Sequence, residues 1–268
     1  MMKPTLLITL FGIVSFAANA ATIASYDAGV SPTAGTTGAA DPTTQGWASS
    51  GATGNDFAYG ADSTIGGWRI TDGTGGAGFF YDHAITVAEV ANMQTFGWTA
   101  TWTNTINHDA VSAAGGGVDD YYNTARQTNN QFWLSYGATS YLLTHSVDAN
   151  GDFTLSDGTN LFQITTANNQ MSEELGAGAP LVNQYVTYTL DYDATAGQAT
   201  LTDSLGNNHG VVASGGALPG GDRLVWGATS GAGQGSTTWN AVGLDAVPEP
   251  GVSILGALAG LVLLRRRR

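Results

Sequence analysis

Along the middle of the chain, large apolar residues recur at every second position. Trp98, Ala100 and Trp102 share a face with Phe96, while Gly97, Thr99, Thr101 and Thr103 fill the alternate positions. A period of two is the signature of a half-buried strand and puts the two tryptophans in a core. Val186, Tyr188, Leu190 and Tyr192 alternate with Thr187, Thr189 and Asp191 in the same way. Asp193-Ala194-Thr195-Ala196-Gly197 then leads into a second run, Gln198 to Asp203. Two strand runs joined by five residues ending in glycine predict a hairpin. Further strands are expected near 67–71, 78–81, 131–136, 141–145, 153–156, 161–165, 224–227 and 238–244. Helical character is confined to Thr86–Gln94, with Glu89 in the first turn. The scattered glycines and the many Thr, Asn and Ser predict loops on an all-β, two-sheet antiparallel jelly roll or sandwich.

The two ends follow a different pattern. Met1 to Ala20 carries Lys3, then an apolar stretch from Leu6 to Phe16, then Ala18-Asn19-Ala20. Small residues at Ala18 and Ala20 stand where a signal peptidase reads, so residues 1–20 are expected to be an export signal cleaved after Ala20. At the other end, 247–268, Val247-Pro248-Glu249-Pro250 precedes fourteen residues without a charge, Gly251 to Leu264, and then Arg265, Arg266, Arg267 and Arg268. Proline resists helix, so an apolar helix can begin only after Pro250. The four arginines favour a cytoplasmic end. At about 1.5 Å per residue such a helix reaches about 21 Å, short of the ~30 Å hydrocarbon core. That length suits a transient tag better than a settled anchor, although arginines can snorkel and the bilayer can thin.

Pro-Glu-Pro, a short apolar helix and a terminal arginine cluster, in that order, resemble the PEP-CTERM sorting signal of Gram-negative bacteria. The resemblance covers the last 22 residues or so. It implies processing by the membrane peptidase exosortase, a passing membrane attachment through the helix, release to or retention at the cell surface, and frequent association with exopolysaccharide.

Charge narrows the function classes. Between Thr22 and Val247 only Arg69, Arg126 and Arg223 face twenty carboxylates, a formal charge of −17. Such a surface repels a phosphate backbone, which argues against nucleic-acid binding. It accommodates cations and keeps an exported protein soluble. With no cysteine in the chain, the domain expected over 21–246 must hold together without disulfides.

Three segments of that domain carry a second resemblance. They are Gly67-Trp68-Arg69-Ile70-Thr71-Asp72 before Gly78-Phe79-Phe80-Tyr81, Thr86–Val90 before Phe96–Trp102, and Tyr188–Asp193 before Ala199-Thr200-Leu201. Together they look like the concanavalin A-like, or laminin-G-like, jelly roll. That resemblance implies two stacked sheets, frequent glycan binding and sometimes a calcium ion at the rim. Hydrolases of this type resemble laminarinases, with Glu-x-Asp-x-x-Glu on one strand. Here Glu89, Glu173, Glu174 and Glu249 are the only glutamates. Glu173 and Glu174 are neighbours that would face opposite ways on a strand.

Two chemistries remain for individual side chains. Asp148, Asn150 and Asp152 place oxygens at alternate positions, which can wrap calcium. They lack the glycine after the third ligand and the downstream glutamate of a full EF-hand loop, which favours the alternative of an Asx-rich turn between two strands. Trp47, Trp226 and Trp239 lie in or beside glycine-rich loops and are the candidate sugar-stacking platform, with core packing as the alternative. The histidines are scattered and read as surface or loop residues. The expectation is an exported, exosortase-processed surface or matrix protein with a non-catalytic, glycan-binding sandwich. Its rivals are a polysaccharide hydrolase with an Asp-based site and a purely structural surface protein.

Overall fold

The computed structural model describes residues 20–32, 36–51, 57–62, 66–72, 78–106, 130–147, 153–163, 185–228 and 235–247. All of them except Ala20 belong to one compact unit, Ala21–Val247. The strands are β1 (Ala21–Asp27), β2 (Ala48–Gly51), β3 (Phe57–Ala61), β4 (Trp68–Asp72), β5 (Phe79–Ala84), β6 (Trp98–Ile106), β7 (Asn130–Tyr136) and β8 (Thr139–Val147). They continue as β9 (Phe153–Ser156), β10 (Leu161–Gln163), β11 (Val186–Asp193), β12 (Gln198–Asp203), β13 (Asn208–Val212), β14 (Gly215–Gly216), β15 (Arg223–Ala228) and β16 (Gly235–Ala246). The helix α1 spans Val87–Phe96. No helix among the described residues is long and apolar enough to cross a membrane; the helix expected over 251–264 lies outside them.

Two eight-stranded antiparallel sheets stack on each other. The first has the order β13-β12-β11-β6-β16-β4-β3, with β1 also paired to β16. The second runs β10-β9-β8-β7-β15-β5-β2, with β14 also paired to β8. This is the concanavalin A-like two-sheet jelly roll expected from the sequence. The hairpin is where the alternation put it, with Asp193 paired to Gln198 and Tyr188 to Asp203. The chain enters the first sheet at β1, whose residues 21–27 pair with 241–246 of β16. The two ends of the compact unit therefore lie side by side.

Between the sheets lies an aromatic core. Trp102 of the first sheet stacks on Phe132 of the second with centroids 4.0 Å apart. Trp98 meets Tyr136 and Tyr141 edge-on. Rings of this size contribute roughly 1.5–3 kcal/mol each by burial, and more through offset and edge contacts. One boundary differs from the sequence expectation. Phe96 is the last helical residue rather than the first of the strand: a reciprocal capping box of Thr86 and Glu89 starts α1 at Val87, and the Gly97 amide closes the last turn by donating to the Met93 carbonyl at 3.0 Å. Gly97 then turns the chain at φ +97°, and a Cβ there would stand 2.5 Å from the Tyr192 carbonyl oxygen.

Candidate functional site

The three tryptophans expected to form a platform are core residues. Trp226 and Trp239 are 0% exposed and Trp47 is 3% exposed. Trp226 packs against Tyr26, Tyr81 and Trp47. Trp239 packs against Trp226 and His145, and Trp47 donates its indole N–H to the Ser25 carbonyl at 3.1 Å. Glycine-rich neighbours suggested exposure, but Leu224, Trp226 and Ala228 form the inward register of β15. A bulge between Trp239 and Ala241 keeps both Trp239 and Val242 facing inward.

A different tryptophan faces out. On β7, Asn130, Phe132, Leu134 and Tyr136 are buried, while Gln131 and Trp133 are only half-buried on the other face. The alternation of Phe132, Leu134 and Tyr136 with Gln131, Trp133 and Ser135 is the sequence signal for an outward tryptophan. The register extends this face across four strands as Asp82–Val225–Trp133–Leu142. Phe80, two residues before Asp82, meets Trp133 edge-on with centroids 6.1 Å apart. Phe80 can lie flat there because its cross-strand partner is Gly227. A Cβ at Gly227 would stand 2.3 Å from the Phe79 carbonyl oxygen and 3.0 Å from Phe80 Cδ1.

Arg223 completes the patch. Its guanidinium carbon sits 4.9 Å from the Trp133 ring centroid, a cation–π arrangement. Its Nη2 donates to the Pro219 carbonyl. Next to this aromatic row is a groove of about 280 Å³ lined by Ser140 and Leu142 of β8, the 157–159 turn, Ala213 to Gly216, and Leu218. The pairing of Gly215 with Ser140 and the bond from Ser140 Oγ to the Gly216 carbonyl at 2.7 Å hold the far wall.

Asp157 holds the near wall. Its Oδ1 accepts the Thr159 and Asn160 amides, at 2.8 and 2.6 Å. Its Oδ2 accepts Asn160 Nδ2 and the Ala213 amide, at 2.8 and 2.7 Å. Burial pushes this carboxyl up, but the bonds from Asn160, Ala213 and Thr159 outweigh it and hold it below the usual carboxylate range. Both oxygens are thus occupied by the chain itself, which suits a wall rather than a proton carrier.

The histidines separate into three environments. His83 is half-buried against Trp47, and His209 donates its Nε2–H to Asp203 Oδ2 at 2.8 Å beside the 203–208 turn. His145 is fully buried, contrary to the surface reading. Trp102 Nε1 and Asn104 Nδ2 both reach its Nε2, at 3.3 and 3.1 Å. An indole can only donate, so Nε2 accepts and the ring is the neutral Nδ1-protonated tautomer. Desolvation lowers its pKa to about 3. Its burial could be read from Tyr141, Leu143 and His145 sharing one face of β8. His108 lies outside the described residues.

So do Asp148, Asn150 and Asp152, although their flanking strands pair as a hairpin with Val147 opposite Phe153. Among the described residues no cluster of three metal-ligating side chains occurs. Ala20 is exposed just before β1 begins. Ala18, Pro248, Glu249, Pro250 and Arg265 to Arg268 are outside the described residues.

No protein-family model and no curated protein matches the chain. Solved structures do resemble it. The carbohydrate esterase of the Shiga toxin-encoding bacteriophage phi24B superposes with a TM-score of 0.51 at 15% identity, over 85% of this chain and 99% of that one. The Trypanosoma rangeli sialidase gives 0.44 at 13% identity, over 87% of this chain and 32% of that one. The receptor-binding domain of a botulinum neurotoxin C/D mosaic gives 0.40 at 10% identity, over 90% and 52%. The chain therefore spans about a third of the sialidase and half of the toxin chain. At these identities the esterase match shows a common fold.

Proposed function

We propose that the protein is an exported surface or matrix component whose sandwich binds glycan, without cleaving it, on the outer face of the second sheet. The observation that carries this reading is the outward pair Trp133 and Phe80 beside the groove at Ser140 and Leu142. Half-buried rings set in a fixed sheet can stack through their exposed part on the apolar faces of pyranoses, and the neighbouring hydroxyls and backbone groups can bond sugar hydroxyls. The occupied oxygens of Asp157 favour binding over hydrolysis at this groove. The test is retention of the protein on immobilised polysaccharides, with Trp133→Ala alongside. Loss of retention by a variant whose unfolding midpoint is little changed supports the reading. Undiminished retention by the variant would move the ligand elsewhere, and reducing ends released from a bound polymer would replace binding with hydrolysis.

Export and sorting complete the proposal. Cleavage after Ala20 would leave Ala21 as the first residue, and Ala21 is where β1 begins to pair with β16. The sorting motif would follow Val247 directly, so exosortase could remove it without touching a strand. Replacing Pro248-Glu249-Pro250 with alanines should leave unprocessed protein in the inner membrane; normal release would refute the role of the motif. Calcium at Asp148, Asn150 and Asp152 would brace the β8–β9 connection. It predicts a higher unfolding temperature in calcium than in chelator, and equal temperatures in both buffers would remove the ion.

A further inference from the structure

We infer that the glycan taken by this face is acidic, a chain bearing carboxylates, and that Arg223 is the residue that reads its charge. This rests on the glycan-binding reading above and names the ligand class. Of the three arginines between Thr22 and Val247, Arg126 lies outside the described residues. Arg69 faces the buried carboxylate of Asp62 at 3.7 Å. Arg223 has no carboxylate within ion-pair distance among the described residues, although its domain carries a formal charge of −17. Its surroundings instead fix it. The guanidinium lies over Trp133, Nη2 is tied to the Pro219 carbonyl, and Nε is buried without a partner.

A guanidinium held in this way has already lost most of its rotamer freedom, so a carboxylate that docks on it does not have to order the side chain. With Nε buried, the donors left for a ligand are those of Nη1 and the second hydrogen of Nη2, which can meet the two oxygens of a carboxylate end-on. The placement also suits a sugar acid. A ring stacked beside Phe80 and Trp133 would bring an exocyclic carboxylate to the arginine end of the patch. Pro219, to which Arg223 is bonded, adjoins Leu218 at the groove. Further residues of the same chain could then continue toward Ser140 and Leu142.

The surrounding charge makes the test stringent. A domain this acidic repels polyanions at long range, so any preference for an acidic glycan must come from a local contact. The probes are polygalacturonate and its methyl ester, which share one sugar backbone and differ in charge. Both are offered to the full chain in chelator, so that calcium cannot bridge the carboxylates. The expected result is at least tenfold tighter retention on the free acid. Arg223→Gln should bring the two polymers to the same affinity, and Arg223→Lys should keep part of the preference. The wild-type comparison needs no variant to fold. Equal binding of the two polymers, or preference for the ester, overturns the acidic ligand while leaving glycan binding in place. Binding of neither, nor of any neutral glycan, overturns both readings.

Discussion

The two sheets bury similar inner faces but present different outer ones. On the first sheet one outward row is Thr202–Thr189–Thr101–Gly243–Ser25, and the row beside it runs Thr200–Asp191–Thr99–Asp245. These short oxygens serve one another. Thr99 Oγ1 donates to Asp191 at 2.6 Å, and the Thr103 and Thr187 hydroxyls are 2.7 Å apart. The second sheet puts Phe80, Trp133 and Leu142 in the same kind of position, with Arg223 over the indole. Threonine on an outer face gains strand propensity and cross-strand bonds, so fold alone accounts for it. A half-buried tryptophan beside an arginine with no carboxylate partner among the described residues gains less from the fold, and contiguous apolar surface of that kind marks a contact. Outer-face chemistry, with the core shared, separates a face explained by the fold alone from the face proposed to bind ligand.

The largest expected effect removes both faces together. Trp226→Ala would open a cavity among Tyr26, Trp47, Tyr81 and Trp239. Losses of about 3–5 kcal/mol are usual for such a truncation, read as a lower denaturant midpoint. A loss below about 1 kcal/mol would contradict the core placement of Trp226.

Acid should also act on both faces at once, through His145. Its folded pKa of about 3 lies well below the ordinary value of 6.5. The unfolded chain therefore takes up a proton that the fold refuses, and stability falls as the pH drops from about 6.5 toward 3. The slope from this group approaches roughly 1.4 kcal/mol per pH unit at most. Unfolding midpoints measured from pH 7.5 to 4.5 should decline, and His145→Gln should flatten the curve. An unchanged slope in that variant would assign the acid sensitivity elsewhere.

The comparison between faces is sharpened by Trp133→Ala, expected to weaken glycan retention at least tenfold, or about 1.4 kcal/mol. Its effect on stability should be smaller than that of Trp226→Ala, because Trp133 lies on the outer face. If instead the variant unfolds as readily as Trp226→Ala, the ring is structural and the ligand face loses its anchor.

How much of this was legible beforehand follows from which interactions are local. Alternation in 98–103 and 186–192 gave two neighbouring strands of the first sheet, and the five-residue loop gave the hairpin partner of the second. Edge strands such as β2, β3 and β13 were not legible, because Ala48–Gly51 has no alternation and is exposed throughout. Their pairing is set by distant partners such as β5, a tertiary effect that local pattern does not encode. The site was missed for a related reason. Glycine-rich neighbours point to exposure of Trp47, Trp226 and Trp239, whereas each is placed by its register on a strand or by packing across the sheets. The same period-two test that fixed Trp98 and Trp102, applied to 131–136, separates Trp133 from Phe132 and Leu134. Arg223 over Trp133 needed the β7–β15 register, in which Val225 pairs with Trp133 and Arg223 with Ser135.

The smallest effect is the control on the other face. Thr101 lies mid-row on β6, opposite Thr189 on one side and Gly243 on the other. Thr101→Val keeps the branched Cβ that suits a strand and removes only a hydroxyl, so stability should stay within about 0.5 kcal/mol. Glycan retention should match wild type if the ligand lies on the second sheet, because the two outer faces are separated by the whole core. A large loss of retention in Thr101→Val, with Trp133→Ala unaffected, would reverse the assignment. The hydroxyl array would then be the binding surface, and the aromatic row would belong to packing.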